Sequence, residues 1–157
     1  MPNAVYAGFW KRFVAYLIDS ILLGIVSFVL LIPALGLTGL GAAVNADDMG
    51  EGSPALAVAA AGAYGLAMLA ILVGSWLYFA LMESSAKGGT LGKMALGLRV
   101  TDMSGNRISF GRATGRYFAK LLSGAIMGLG YVMAAFTQQK QALHDILAGC
   151  LVVSNHQ

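Results

Sequence analysis

The chemistry this chain could perform rests on a few charged residues set among apolar ones. Asp19 lies in KRFVAYLIDSILLGIVSFVLLIPALGL, about two helical turns past Lys11 and Arg12. A carboxylate at that depth in a bilayer costs at least about 2.5–3.5 kcal/mol on insertion scales. It persists only if it is paired, protonated or used. Used, it could exchange a proton for a monovalent cation. Paired, it would be a buried, hydrogen-bonded anchor for a basic residue from another segment. Arg12, Tyr16 and Asp19 fall at i, i+4 and i+7, on one helix face. Arg12 and Asp19 are about 10 Å apart along that axis at 1.5 Å per residue, so each needs a different partner.

Near the other end stands His144-Asp145, in QQKQALHDILAGCLVV. Helix neighbours point about 100° apart, and no nucleophile motif accompanies the pair. It reads more simply as a helix start, with Asp145 binding a backbone N–H or an arginine. Gly88 to Lys93, GGTLGK, superficially resembles a phosphate loop. It fails because Lys87 stands where the first glycine belongs and Met94 where Ser or Thr belongs. A turn and helix cap at the membrane surface is expected there instead. The single cysteine, Cys150, excludes an intrachain disulfide and brings no zinc ligand set. No catalytic residue, metal or cofactor is expected. The candidate polar site is Arg12, Asp19 and Asp145, with Tyr16, Lys93, Arg116 and His144 in support.

The elements that position these residues follow from composition. Of 157 residues, 58% are hydrophobic and 11% charged, and mean hydropathy is +0.74. Soluble domains carry about 25% charge, so lipid must cover part of this chain. One domain over residues 1–157 is expected. Membrane segments fall at about 13–37 and 55–82, with a weaker third at about 117–136 that contains Lys120 and several glycines. The first run breaks at Pro33. An acidic stretch with Asp47, Asp48 and Glu51 separates the first two. Lys87, Lys93, Arg99, Arg107, Arg112 and Arg116 separate the second and third. The positive-inside bias places the N-terminus in the cytoplasm of a multi-pass protein of the cell (inner) membrane. A cleaved signal peptide ending at Val44-Asn45-Ala46 is disfavoured, because the apolar run far exceeds the usual 7–15 residues and holds Asp19.

The net charge of +3 sits beside the apolar runs. That suits a lipid bilayer and anionic headgroups and points away from nucleic acid. The fold class expected is an all-α membrane protein: two transmembrane helices, a third weaker or re-entrant segment, and a small cytoplasmic cap over about 83–116 and 140–157. Within the cap, Thr90 is placed to N-cap a short helix. LRVTDMSGNRIS reads as strand, turn, strand around Ser104-Gly105-Asn106. Arg112, Arg116 and Lys120 recur every four residues and form one stripe, expected to lie on lipid headgroups. Gly124 and Gly128 make a GxxxG that would allow close helix packing or mark a bend. Glu83 ends the second run, either at the interface or facing the basic segment.

AGFWKRFVAYLIDS (Ala7 to Ser20), GGTLGKMALGLRVTDMSGNRISF (Gly88 to Phe110) and QALHDILAGCLVV (Gln141 to Val153) together resemble the RDD family of small membrane proteins, named for one arginine and two aspartates. The resemblance covers most of the chain and puts those residues on Arg12, Asp19 and Asp145. Cys150 departs from the threonine common after Ala-Gly. The resemblance implies either cation–proton antiport, associated with some members, or an accessory role. Antiport in so short a chain would require a homo-oligomer, and the spans lack the second carboxylate that sodium coordination favours. A scaffold would bind lipid or a membrane protein partner. Asp145 can meet Arg12, Arg116 or Lys93 only if the third segment returns to the side it entered. A full crossing would separate them by about 30 Å.

Overall fold

The computed structural model describes residues 5–47, 54–125 and 129–154. Two long apolar runs dominate it. Helix α1 spans Phe9–Asp47 and α2 spans Pro54–Ser84. α1 does not stop at Pro33 but continues through it. Proline is tolerated in membrane helices, where local adjustment and neighbouring groups satisfy the freed carbonyl. α2 opens on a proline, whose missing N–H costs nothing in a first turn. The stretches Phe9–Gly36 and Ala57–Ser84 are each 28 residues long, with mean hydropathy 2.4 and 2.0. At 1.5 Å per residue each exceeds the roughly 30 Å hydrocarbon core. Ile25, Phe28, Val29, Val58, Leu66 and Leu72 all stand exposed along them. Apolar surface on that scale requires a covering that water cannot provide.

The chain forms two compact units, Met1–Ser20 with Trp76–Gln157, and Ile21–Ser75. The described part of the second is helix from α1 and α2. The first holds Arg12, Asp19, Glu83, Lys93, Arg116, Lys120 and Asp145. Its further elements are α3 (Leu91–Ala95), β1 (Leu98–Asp102), α4 (Phe110–Ala125), α5 (Leu129–Phe136), α6 (Leu143–Ala148) and β2 (Cys150–Ser154).

The expected strand–turn–strand hairpin is corrected by the sheet. The turn forms: Asp102 Oδ1 accepts the N–H groups of Ser104 and Asn106 at 2.9 and 2.7 Å, and Gly105 takes φ 89°. The partner of β1, however, is β2, antiparallel, from Leu98↔Ser154 to Asp102↔Cys150. CLVVS buries Cys150, Leu151 and Val152, whereas NRIS offers only Ile108 to a core. Burial therefore selects the distant, more apolar strand over the local one. The chain before α1 adds to the far edge of β2. Ala7 N–H donates to Val152 O, and Ser154 N–H to Val5 O, both at 2.9 Å. This ladder brings the start of α1 beside the end of the chain. Gly149, left-handed at φ 59°, ends α6 and turns the backbone into β2.

Small residues make the core thin. Ala7, Ala15, Ala80, Ala113 and Cys150 pack with Leu98, Val100, Ile108 and Val152. Close approach is sharpest at Gly92 in α3, where a Cβ would lie 3.0 Å from both the Ala15 carbonyl carbon and Asp19 Cγ. α5 approaches α4 through Gly130, whose Cβ would meet Ser123 at 2.8 Å. Gly124, by contrast, faces open space, and Gly128, with the bend expected around it, lies outside the described residues. So do Asp48 and Glu51 of the acidic stretch.

The stripe on α4 is also corrected. Arg116 is 1% exposed and Lys120 is largely buried, whereas Phe118, Leu121 and Leu122 on the same helix are more than half exposed. Only Arg112 stays outside. The basic stripe faces inward because two buried carboxylates attract it. The apolar face points out, the reverse of an amphipathic helix in water.

Candidate functional site: a buried charge network

Two carboxylates organise the first unit. Asp145 is fully buried near the start of α6. Its Oδ2 accepts the Ala142 N–H at 3.1 Å, closing the first turn of the helix. Arg12 donates to Oδ2 through Nη1, and to the Ala7 carbonyl through Nε at 3.0 Å. Arg116 reaches Oδ1 with Nε at 2.8 Å and Nη2 at 2.5 Å. Asp145 thus joins α1, α4 and α6.

Glu83, at the end of α2, is the other hub. It accepts from Arg116 Nη1 at 2.6 Å, Lys93 Nζ at 2.5 Å and Lys120 Nζ at 3.1 Å. Lys120 also lies 4.1 Å from the centre of the Phe79 ring, a cation–π contact. Arg116 bridges both hubs, its planar fork serving two carboxylates at once. Four cations therefore share two anions: Arg12, Lys93, Arg116 and Lys120 against Glu83 and Asp145.

Asp19 sits apart from this network and pairs with no cation in it. Its Oδ1 accepts the Tyr78 hydroxyl and the Gly92 N–H, both at 2.8 Å, and its Oδ2 accepts the Thr90 hydroxyl at 2.5 Å. Thr90 holds the N-cap position of α3, but its side chain makes no cap hydrogen bond. The hydroxyl donates to the buried carboxylate instead. Asp19 is thereby a clamp joining α1, α2 and α3.

Burial and charge set the protonation of the network. Burial and Arg116 push Lys93 down to about 7, with Glu83 opposing. Burial disfavours the Asp145 carboxylate, but Arg116 and Arg12 outweigh it and hold its pKa well below the usual range. Burial favours a neutral Arg116, yet Asp145 and Glu83 keep it charged. His144 is driven down to about 2 by burial, Asp145 opposing and Arg116 reinforcing. It is a neutral imidazole, 3.4 Å from Asp145 through Nε2 and packed against Tyr131 with centroids 5.2 Å apart.

Of the residues singled out from sequence, Arg12, Asp145, Arg116, Lys93, Lys120 and His144 come together. Asp19 lies beside them with its own donors. Tyr16 is half-exposed and meets Tyr131 at 6.4 Å between ring centres. Sequence reasoning missed the hub role of Glu83 and the donors Tyr78, Thr90 and Gly92. Glu83 carried a signal: it is a carboxylate closing 28 apolar residues just before six cations. The donors to Asp19 carried none, since a tyrosine, a threonine and a glycine are ordinary in such segments.

The fold and the site define a helical membrane protein with a buried charge network inside one unit. The family model of the RDD family matches residues 6–149, and the chain belongs to that family. It is similar to the uncharacterized protein YxaI of Bacillus subtilis (strain 168), with 41% identity covering 94% of this chain and 96% of that one. It is also similar to the uncharacterized membrane protein YteJ of the same organism, with 29% identity covering 94% and 80%. No solved structure matches the chain.

Proposed function

We propose that this RDD protein is a non-enzymatic membrane scaffold or accessory subunit, in which Arg12, Asp19 and Asp145 are structural. The observation that carries the proposal is that Tyr78, Thr90 and Gly92 all donate to Asp19. A cation there would compete with three donors already directed at the carboxylate. The four basic side chains that line the adjacent cavity with Asp19 would also repel it. Two unit charges 4 Å apart interact by about 4 kcal/mol at an effective dielectric of 20.

In this reading the N-terminus and the charged unit lie on the cytoplasmic face of the cell membrane. α4 and α5 form a re-entrant pair. At 16 and 8 residues they reach about 24 and 12 Å, short of a full crossing, and the Arg12–Asp145 pair supports a return to the starting side. The inverted polarity of α4 supports its immersion in lipid. Partners are lipid and either further copies of this chain or another membrane protein.

Cation–proton antiport is the second reading, favoured by Asp19 and Lys93 lining one cavity. Asp19→Asn separates the two. Structural use predicts loss of the α1–α3 clamp, seen as faster proteolysis after Lys87 and Lys93 in detergent. Protection equal to wild type, together with lost activity, would overturn the scaffold.

A further inference from the structure

A cavity of about 340 Å³ opens within the first unit. That lies in the range of small-molecule sites, about 300–1,000 Å³. Arg12, Lys93, Arg116 and Lys120 all line it, while their partners Glu83 and Asp145 do not. Asp19, the acid on the wall, accepts from neutral donors, and the four basic side chains outnumber the three carboxylates Asp19, Glu83 and Asp145 around the cavity. Uncompensated charge away from water is costly.

A second observation is independent of the count. Among the described residues no acceptor reaches Arg12 Nη2, which is buried. A buried donor of that kind calls for an oxygen that the described residues do not supply. The remaining wall is mostly apolar, with Phe9, Phe13, Phe79 and Val132 beside Tyr131 and His144. Phe13 and Tyr16 line the cavity and are also half-exposed, on a helix long and apolar enough to span a membrane. The cavity wall therefore continues into the apolar surface.

We infer that this cavity binds the anionic phosphate headgroup of a membrane lipid, with the Arg12 and Lys120 side chains on its wall facing the phosphate and an acyl chain lying along Phe13 and Tyr16. The anionic lipid then occupies an enclosed site and not the outer face of α4. This inference rests on the membrane scaffold reading and deepens it by naming the ligand.

The test is thermal unfolding of the purified full chain in neutral detergent with dioctanoyl phosphatidylglycerol, dioctanoyl phosphatidylcholine or inorganic phosphate added. Phosphatidylglycerol should raise Tm saturably, and the other two should not. Lys120→Gln should weaken that response at least tenfold, Lys120→Arg should retain it, and Arg112→Gln, on the exposed face, should leave it unchanged. Native mass spectrometry of the wild type, which needs no variant, should show one anionic lipid retained per chain. An equal response to phosphatidylcholine would overturn the charge selectivity. An equal response to phosphate would make the site one for a free anion. Equal loss in Arg112→Gln would reduce the effect to surface attraction. Lipid binding without cation flux supports both inferences. Flux with lipid binding intact would remove the scaffold reading and keep the site, whereas no flux and no lipid selectivity would do the reverse.

Discussion

Asp145→Asn should be among the most damaging conservative changes in this chain. Asparagine keeps the shape and an oxygen for the Ala142 N–H, so the first turn of α6 can persist. What vanishes is the charge between two guanidiniums. Arg116 retains Glu83 at 2.6 Å, but among the described residues Asp145 is the carboxylate with which Arg12 pairs. Asp145 is fully buried and the Arg12 side chain is 12% exposed, so little water can take over. Removing one partner of a buried pair typically costs about 3–5 kcal/mol. Unfolding titrated with sodium dodecyl sulfate in mixed micelles, followed by tryptophan fluorescence, measures the loss. In an Arg12→Met background the same change should cost less, by a coupling of about 1–3 kcal/mol. A loss under about 0.5 kcal/mol, or strictly additive single effects, would refute the pairing and with it the return of the chain to the start of α1.

Gly92→Ala should destabilise by about 1–3 kcal/mol or more through overpacking, because its Cβ has no room against Ala15 and Asp19; the same micelle titration checks it, with Gly124→Ala, which faces open space, as the neutral comparison. Glu83→Gln leaves Lys93, Arg116 and Lys120 around a neutral amide and should cost as much as Asp145→Asn, read by the same midpoint. Lys93 gives a pH signature. Its pKa falls from the ordinary 10.5 to about 7 on folding, so between those values the unfolded chain binds more protons and stability rises with pH. Lys93→Met should flatten the slope of stability against pH between 7 and 10, and an unchanged slope would contradict the downward shift that burial imposes on this amine.

Much of the fold was legible because the apolar runs are long and the cations cluster. Periodicity alone gave Arg12 and Asp19 one face and correctly required separate partners for them. The stripe of Arg112, Arg116 and Lys120 was legible as a stripe but not in direction, since spacing cannot tell lipid headgroups from buried carboxylates. Knowing that Glu83 and Asp145 are both buried settles it. The strand at 98–102 was legible, and so was its turn. Its partner was not, because pairing with Cys150–Ser154 is a non-local choice made by burial and by the chain before α1. Thr90 shows the same limit at one residue: the cap position was evident, but the carboxylate that claims its hydroxyl lies 71 residues away.

The most direct measurement is proton movement in sealed liposomes holding the purified wild type, after addition of sodium, lithium or potassium, with Asp19→Asn alongside. If Arg12, Asp19 and Asp145 are structural, folded wild type moves no protons under any cation gradient, and Asp19→Asn differs only in stability. Cation-dependent flux in the wild type that disappears in a stably folded Asp19→Asn would contradict it and make that carboxylate a transport group.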